Sequence, residues 1–378
     1  MSGGPTAFVL SIGSELLMGE TVDTNAAFLG GELRGLGILL REVRQLPDDR
    51  DVVARAFLHA AQEAEVVLAT GGLGPTHDDL TREALADALG EDLVLDPELE
   101  RQLRRRFAAS GPMPESNLKQ AMRVPSAQIL ANPIGSAPGW WVERPTGVVV
   151  LMPGVPSEMR LMWAEQVAPR LRQRHAAPPL AVRTVKTFGI GESAVAEAVG
   201  DLLVAPGDGV EAGIYARDDG VHLRFSTRGD ATRLGEPARR AREALSEFVW
   251  GTDGDDLASV ALSALSSAGA ATVASWEADT GGALLAVLAG VPAGRDGVAR
   301  YLGGVLDVDG APPAPVADAV IQLSLLPEDA NGRSPLRVAV SGLVTLPMEE
   351  LRIHGSGPQR LRRAAFAALN HIRVRLRQ

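Results

Sequence analysis

The chain of 378 residues contains no cysteine, and only two of its 37 basic residues are lysines, Lys119 and Lys186. Without thiols there is no disulfide scaffold, no thiolate metal site and no cysteine nucleophile, a pattern that fits a cytoplasmic protein. No run of about 18 apolar residues occurs, so no segment is predicted to span a membrane. The N-terminal stretch MSGGPTAFVLSIGSELL has no basic leader and carries Glu15 in its apolar part, so it reads as a first strand and not a signal peptide. A net charge of −10 argues against a broad nucleic-acid footprint. One local exception follows Glu350, where seven arginines and no acids occur. There Leu361, Ala365, Leu369, Ile372 and Leu376 recur at helical spacing. That spacing predicts a terminal helix with one face on a core and its arginines in water, in preference to a nucleic-acid arm.

With 46% apolar and 22% charged residues the composition is that of a globular chain, and the length implies two to four domains. The first 170 or so residues alternate strand and helix patterns. AFVLSIG is a short buried strand; TNAAFLGGELRGLG puts Phe28, Leu29, Leu33 and Leu36 on one helical face with Gly37 as a stop. ILLREVRQL, EVVLAT and 148–151 read as further strands, with RDVVARAFLHAAQEA and LTREALADALG as helices. Strands alternating with helices of this length predict a parallel sheet covered on both faces. After RHAAPPLAV, a strand (VRTVKTFGI), a helix (GESAVAEAVGDLL), a hairpin turning at Asp219 and Gly220, and a helix over 236–248 form a smaller unit. WGTDGDD reads as a second linker, followed by a segment that begins with a helix and the strand ATVASW.

The stretch TGGLGPTHDDLTREALA carries the chemistry. A turn after a parallel strand that opens into a helix is the usual ligand crevice of an α/β sheet. Gly71, Gly72 and Gly74 let backbone N–H groups approach a ligand, and a helix N-terminus favours a phosphate. Asp78 and Asp79 would repel that phosphate unless they have another task. Asp79 either caps the helix or holds a divalent cation; for Asp78 the cation is the preferred role. The glycine spacing matches neither a P-loop nor a dinucleotide fingerprint. In an arginine-dominated chain the isolated Lys119, next to Gln120, points to a required compact ammonium, with a stray surface lysine as the alternative. Glu15 and Asn25 face the same strand-end crevice by topology, Glu15 as a ligand or metal contact or as a helix-start cap. Asn117 and Asn132 offer amides to a sugar or base, Asn132 equally a turn before Pro133, and Glu158 reads as a first-turn acid.

TGGLGPTHDDLTREALA resembles the signature of the molybdopterin-binding fold in the variant found in the CinA (competence/damage-inducible) family. Four other stretches resemble that family in its order: SIGSELLMGETVDTN, NLKQAMRVPSAQILANPIGSAPGWW, MPGVPSEM with Gly154 in its turn, and KTFGIGESAVAEAVGDLL. The resemblance implies an α/β chain of three parts: a molybdopterin-binding-like parallel-sheet domain over 1–175, a small KH-type α+β domain over 180–250, and a C-terminal αβ domain of amidase-like fold over 255–378. It further implies metal-dependent hydrolysis of ADP-ribose to AMP and ribose 5-phosphate. The implied catalytic set is Asp78, Asp79 and Lys119. The metal would sit on Asp78, Asp79 and Glu15, and the substrate on Gly71, Gly72, Gly74, Asn25, Asn117, Gln120, Asn132 and Gly154. The implied ion is magnesium, manganese or cobalt, with a monovalent cation as an optional companion. Implied partners are ADP-ribose or a related nucleotide diphosphate, a second copy of the chain, and competence or recombination proteins. Pterin binding and adenylation, or a non-catalytic adaptor role, are the competing readings.

Chains of this family usually end in a nicotinamide-nucleotide amidase with an E-S-C-T-G-G-like turn. Here WEADTGG keeps Glu277, Thr280, Gly281 and Gly282, but Ala278 stands at the serine position, and alanine cannot form an acyl intermediate. Val308 replaces a family tyrosine, no lysine follows Lys186, and a third glycine-rich loop is represented only by SLLPEDANGR. A retained fold without deamidation is expected. GIGES in the middle segment is not a basic GxxG loop, so packing is its expected role.

Overall fold

The computed structural model describes residues 4–108, 111–175, 178–306, 317–329 and 332–377. The chain forms two compact units, 1–180 and 181–378. None of the helices among the described residues is long and apolar enough to cross a membrane.

In the first unit, β1 (Thr6–Ile12), a single turn α1 (Ser14–Leu17), α2 (Thr24–Gly35), β2 (Leu39–Leu46), α3 (Arg50–Glu63), β3 (Val66–Thr70) and α4 (Thr81–Leu89) alternate as expected. Next come β4 (Val94–Leu95), α5 (Pro97–Phe107), β5 (Met122–Arg123), β6 (Ala127–Leu130), β7 (Gly139–Arg144), β8 (Gly147–Met152), α6 (Pro156–Met162) and α7 (Ala168–Arg174). The main sheet has six strands in the order β2-β1-β3-β8-β7-β6. β2, β1, β3 and β8 are parallel; β7 and β6 add an antiparallel edge that the alternation pattern does not announce.

Alternation along each strand assigns its side chains to two cores. Phe8, Leu10, Val67 and Ala69 pack with Val53, Phe57 and Leu85 on one face. Ala7, Val9, Val66 and Leu68 pack with Leu29, Leu33, Met159 and Trp163 on the other. Every residue of β3 is buried, so each leucine-sized side chain contributes roughly 1.5–3 kcal/mol of burial. With both faces covered, the loops at the strand ends are left for ligands.

The second unit contains two sheets. β9 (Leu180–Thr187), α8 (Glu192–Ala198), α9 (Gly200–Val204), β10 (Val210–Arg217), β11 (Gly220–Arg228), α10 (Gly235–Ala244) and β12 (Val249–Thr252) form the first, with strand order β10-β11-β9-β12. Four expectations need correction here. The expected single helix over GESAVAEAVGDLL breaks at Val199 into α8 and α9, and the closing helix stops at Ala244. Arg217 pairs with Gly220, so the hairpin turns at Asp218 and Asp219, one residue earlier than expected. The WGT of the expected linker is a strand: β12 pairs antiparallel with β9, and Trp250 is buried with its indole N–H donating to the Asp219 carbonyl.

The second sheet contains α11 (Leu257–Ser267), β13 (Thr272–Ala278), α12 (Ala283–Ala289), β14 (Arg300–Leu306), β15 (Ala319–Leu325), β16 (Arg333–Gly342), β17 (Leu346–His354) and α13 (Gly357–Leu376), with strand order β14-β13-β15-β16-β17. Helix α13 buries Ala365, Leu369 and Ile372 as its spacing predicts. Its arginines are not all in water, however. Arg373 is 3% exposed and donates to the Val249 carbonyl at 3.2 Å and to Asn370 Oδ1. Burial pushes its pKa down to about 10. Val308 and part of the stretch after Pro327 lie outside the described residues.

Candidate functional site

The ends of β1, β3 and β8 meet at one point. The Gly71 N–H donates to the Met152 carbonyl at 3.1 Å, carrying the β3–β8 ladder one residue past the strand. Gly71 has φ +99, and a Cβ there would collide with the Ile12 carbonyl. Gly72 has φ +62, and a Cβ on it would strike the Thr81 hydroxyl. A Cβ on Gly154 would lie 3.3 Å from the Gly71 Cα. Glycine is therefore required where the chain both turns left-handed and packs backbone on backbone.

Above this junction lies a cavity of about 440 Å3 lined by the turn residues 71–75, by Gln120, by Ser136 and Ala137, and by 153–155. The charged groups on its lining are Glu15, Asp48, Asp78, Asp79 and Glu158, with no lysine or arginine among them. The lining side chains are thus acidic, and positive potential for a phosphate must come from the main chain or from beneath it.

The two aspartates of the turn have different tasks. The Asp79 Oδ2 accepts from the Thr76 N–H at 2.9 Å and also from the Thr76 hydroxyl. Helix α4 has Leu80 at its N-cap and no side-chain cap. Asp79 is thus a turn-former and not the helix cap. Its carboxylate folds over Gly74, where a Cβ would run into it. Asp78 points outward, its side chain 58% exposed. The neighbouring Thr76 side chain and its own backbone amide, with His77 and Lys119 nearby, hold its carboxyl below the ordinary carboxylate range.

The remaining predicted residues divide between the cavity and its supports. Glu15 lines the cavity; it does not cap α1, whose N-cap Gly13 has no side-chain bond, and its carboxylate leans over Gly13. Gln120 is buried, lines the cavity and donates through Nε2 to the Leu73 carbonyl at 3.4 Å. Asn117 stands behind it, its Nδ2 donating to Gln120 Oε1 at 3.2 Å. Asn25 is buried and donates to the Gly154 carbonyl at 2.8 Å, fixing that turn. Asn132 takes its turn role: Oδ1 accepts from the Gly135 N–H, and Nδ2 donates to the Ala137 carbonyl and to Glu158. Lys119 is not on the cavity lining. Its ammonium donates to the Thr76 carbonyl at 3.1 Å and pairs with Glu83 at 3.3 Å, bracing the turn from outside.

Several contributors were not read from the sequence. Thr81 holds the Gly71 carbonyl with its hydroxyl at 2.8 Å and the Gly72 carbonyl with its N–H at 3.2 Å. Arg82, with no solvent exposure, donates to the Leu73 carbonyl at 2.7 Å. Its position was detectable, because Arg82 shares the buried helical stripe of Leu85 and Leu89 at i+3 and i+7. Asp48 accepts from the Ser14 N–H and hydroxyl, both at 2.8 Å, an interaction spanning 34 residues that no local pattern announces.

No group of three or more His, Asp or Glu among the described residues is arranged to hold a metal ion. The carboxylates on the lining are therefore spread around the rim and do not form a preformed cage. An exposed, ionised Asp78 still fits a cation that keeps its waters and takes its other ligands from a phosphate, the ordinary mode of magnesium.

In the second unit the turn holding Ala278 is closed by its own side chains. Glu277 is buried, and its carboxylate accepts from the Thr280 hydroxyl at 2.6 Å, the Leu284 N–H at 3.0 Å and the Leu285 N–H at 2.6 Å. Asp279, Gly281 and Gly282 all have positive φ, which bends the chain tightly enough for this.

Residues 8–173 match the model of a probable molybdopterin binding domain, and residues 182–251 that of the damage-inducible protein CinA KH domain. A CinA-like protein of Thermomicrobium roseum is 46% identical over 293 residues, covering 76% of this chain and 71% of that one. The chain belongs to the CinA-like family. A CinA-like protein of Deinococcus deserti is 43% identical over 298 residues, with 76% and 71% covered. Among solved structures, a CinA protein of unknown function from Thermoplasma acidophilum is 35% identical, covers 44% of this chain and 99% of its own, and has a TM-score of 0.42. In the molybdopterin-binding-fold part of this CinA-like chain lies the cavity just described; the CinA KH match ends inside β12, the strand that an expected linker had concealed.

Proposed function

We propose that the first unit hydrolyses the pyrophosphate of ADP-ribose, or of a related nucleotide diphosphate, to AMP and ribose 5-phosphate. One observation carries the reading. The cavity at the strand ends is lined by Gly72, Leu73 and Gly74, whose N–H groups meet no acceptor among the described residues, and Asp78 stands ionised and exposed beside them. Unsatisfied main-chain donors suit phosphate oxygens, and a volume of about 440 Å3 suits a small-molecule ligand. A divalent cation on Asp78 would neutralise charge on the pyrophosphate as a P–O bond breaks. The chain's own residues hold the geometry. Thr81 and Gln120 fix the turn carbonyls, Asp79 and Lys119 fix the loop that presents Asp78, and Asn25 fixes the opposing Gly154 turn. Asp48 and Glu158, on the rim, are placed to orient a water.

The match to a probable molybdopterin binding domain supports a second reading, a pterin phosphate in the same cavity with adenylation as the reaction. Purified protein with a divalent ion, given ADP-ribose or a pterin phosphate with ATP, separates the two. AMP and ribose 5-phosphate from the first substrate support hydrolysis; an adenylated pterin from the second replaces it. Silence with both leaves the adaptor role. In the second unit we read the amidase-like site as inactive, because Ala278 has no hydroxyl and Glu277 is committed to its own turn.

A further inference from the structure

Arg82 is fully buried, yet among the described residues its guanidinium makes a single hydrogen bond, from Nη2 to the Leu73 carbonyl at 2.7 Å. Nε and Nη1 are buried with no partner among the described residues. Burial pushes its pKa down to about 10, with Glu83 and Asp79 opposing that shift, so the group stays charged at neutral pH. A buried charge so sparsely bonded destabilises a fold unless its field acts on something. The Leu73 carbonyl that it holds also accepts from Gln120, while Thr81 holds the carbonyls of Gly71 and Gly72. Three successive carbonyls are thus tied to α4 and Gln120. A planar trans peptide sends the following N–H in the opposite direction. Those are the amides of Gly72, Leu73 and Gly74, on residues that line a cavity whose charged side chains are all acidic.

We propose that Arg82, seconded by Gln120, is a positioning residue for diphosphate binding: it grips the Leu73 carbonyl so that the turn's amides face the cavity, and it supplies from below the positive charge that the acidic lining withholds. The inference rests on the diphosphate reading of this cavity and deepens it. The ligand's charge is met through the main chain, with the arginine never touching it.

The test compares the full chain with Arg82→Met and Arg82→Lys, measuring ADP-ribose binding by calorimetry with magnesium present and AMP release at steady state. Arg82→Met is expected to weaken binding and raise KM about 10-fold or more, with a smaller change in kcat. Arg82→Lys is expected to restore most of the loss, whereas packing alone would favour the methionine. A folded Arg82→Met that binds ADP-ribose like the unaltered chain overturns the inference. Should that variant not fold, the unaltered chain is titrated with inorganic pyrophosphate. Shifts of the Gly72, Leu73 and Gly74 amide resonances support the proposal, and their absence overturns it. Arg82-dependent binding without hydrolysis would remove the hydrolase reading and keep the positioning role. Hydrolysis indifferent to Arg82 would do the reverse, and a chain that neither binds nor cleaves removes both.

Discussion

The turn at 71–80 and the turn at 277–282 are built from similar material, a parallel strand, paired glycines, acids and a following helix, and they reach opposite states. In the first, Thr81, Arg82 and Gln120 hold carbonyls, and the amides of Gly72, Leu73 and Gly74, beside a cavity, have no acceptor among the described residues. In the second, the Glu277 carboxylate is turned inward and takes the first amides of α12 for itself. Main-chain amides gathered at a strand-to-helix turn favour an anion. On the proposed reading, a guest takes that place where the acid stands out on the loop, as Asp78 does, and the chain's own carboxylate takes it where the acid sits in the strand, as Glu277 does. Glycine content alone does not distinguish the two.

The contrast sets a graded series of expectations. The largest is for Gly71→Ala, where a Cβ would meet the Ile12 carbonyl at φ +99; we expect at least about 3 kcal/mol of destabilisation by denaturant unfolding. A change below about 1 kcal/mol would show that the junction accommodates a side chain. Next, Asp78→Ala should lower AMP release about 100-fold while leaving stability within about 0.5 kcal/mol, as suits an exposed loop residue; a loss of stability in step with activity would make Asp78 structural. Glu277→Gln should cost about 2 kcal/mol, because two amides and a hydroxyl lose a charged acceptor, with ADP-ribose hydrolysis unchanged. Ala278→Ser should leave nicotinamide-nucleotide deamidation at background, since a hydroxyl alone does not reopen a turn closed by Glu277; deamidation above background would contradict that closure. The smallest effect is in pH. The Asp78 carboxyl is held below its ordinary value of 3.8, so its contribution is complete above that value and fades only as the pH falls through the depressed one. A carboxyl resonance titrating at or above 3.8 would remove this expectation.

Buried strands were legible because β1, β3 and β8 are short, largely apolar runs, each followed within two residues by a glycine. β12 was not, because Gly251 and the acids after it read as loop, while the strand partner β9 and the Asp219 carbonyl that holds the Trp250 indole lie far back in the chain. At the site, the glycines and acids could be assembled from sequence, but their division of labour could not. Asp78 and Asp79 are adjacent and chemically identical; only the Thr76 turn separates an outward carboxylate from one tied down. Lys119 drew notice through its rarity, yet braces the loop from outside the cavity. Arg82 escaped notice because a charge on a buried stripe is taken for a solvated one.

The backbone contact between Gly71 and Gly154 also bears on how selectivity can change. The floor of the cavity is peptide, and peptide groups are the same whatever residue carries them. Replacing floor residues can break the turn but cannot retune what it favours. Preference for one ligand over another has to be written around the edge, at positions such as Ser136, Ala137 and Val155, where a side chain can be exchanged without moving the strands beneath.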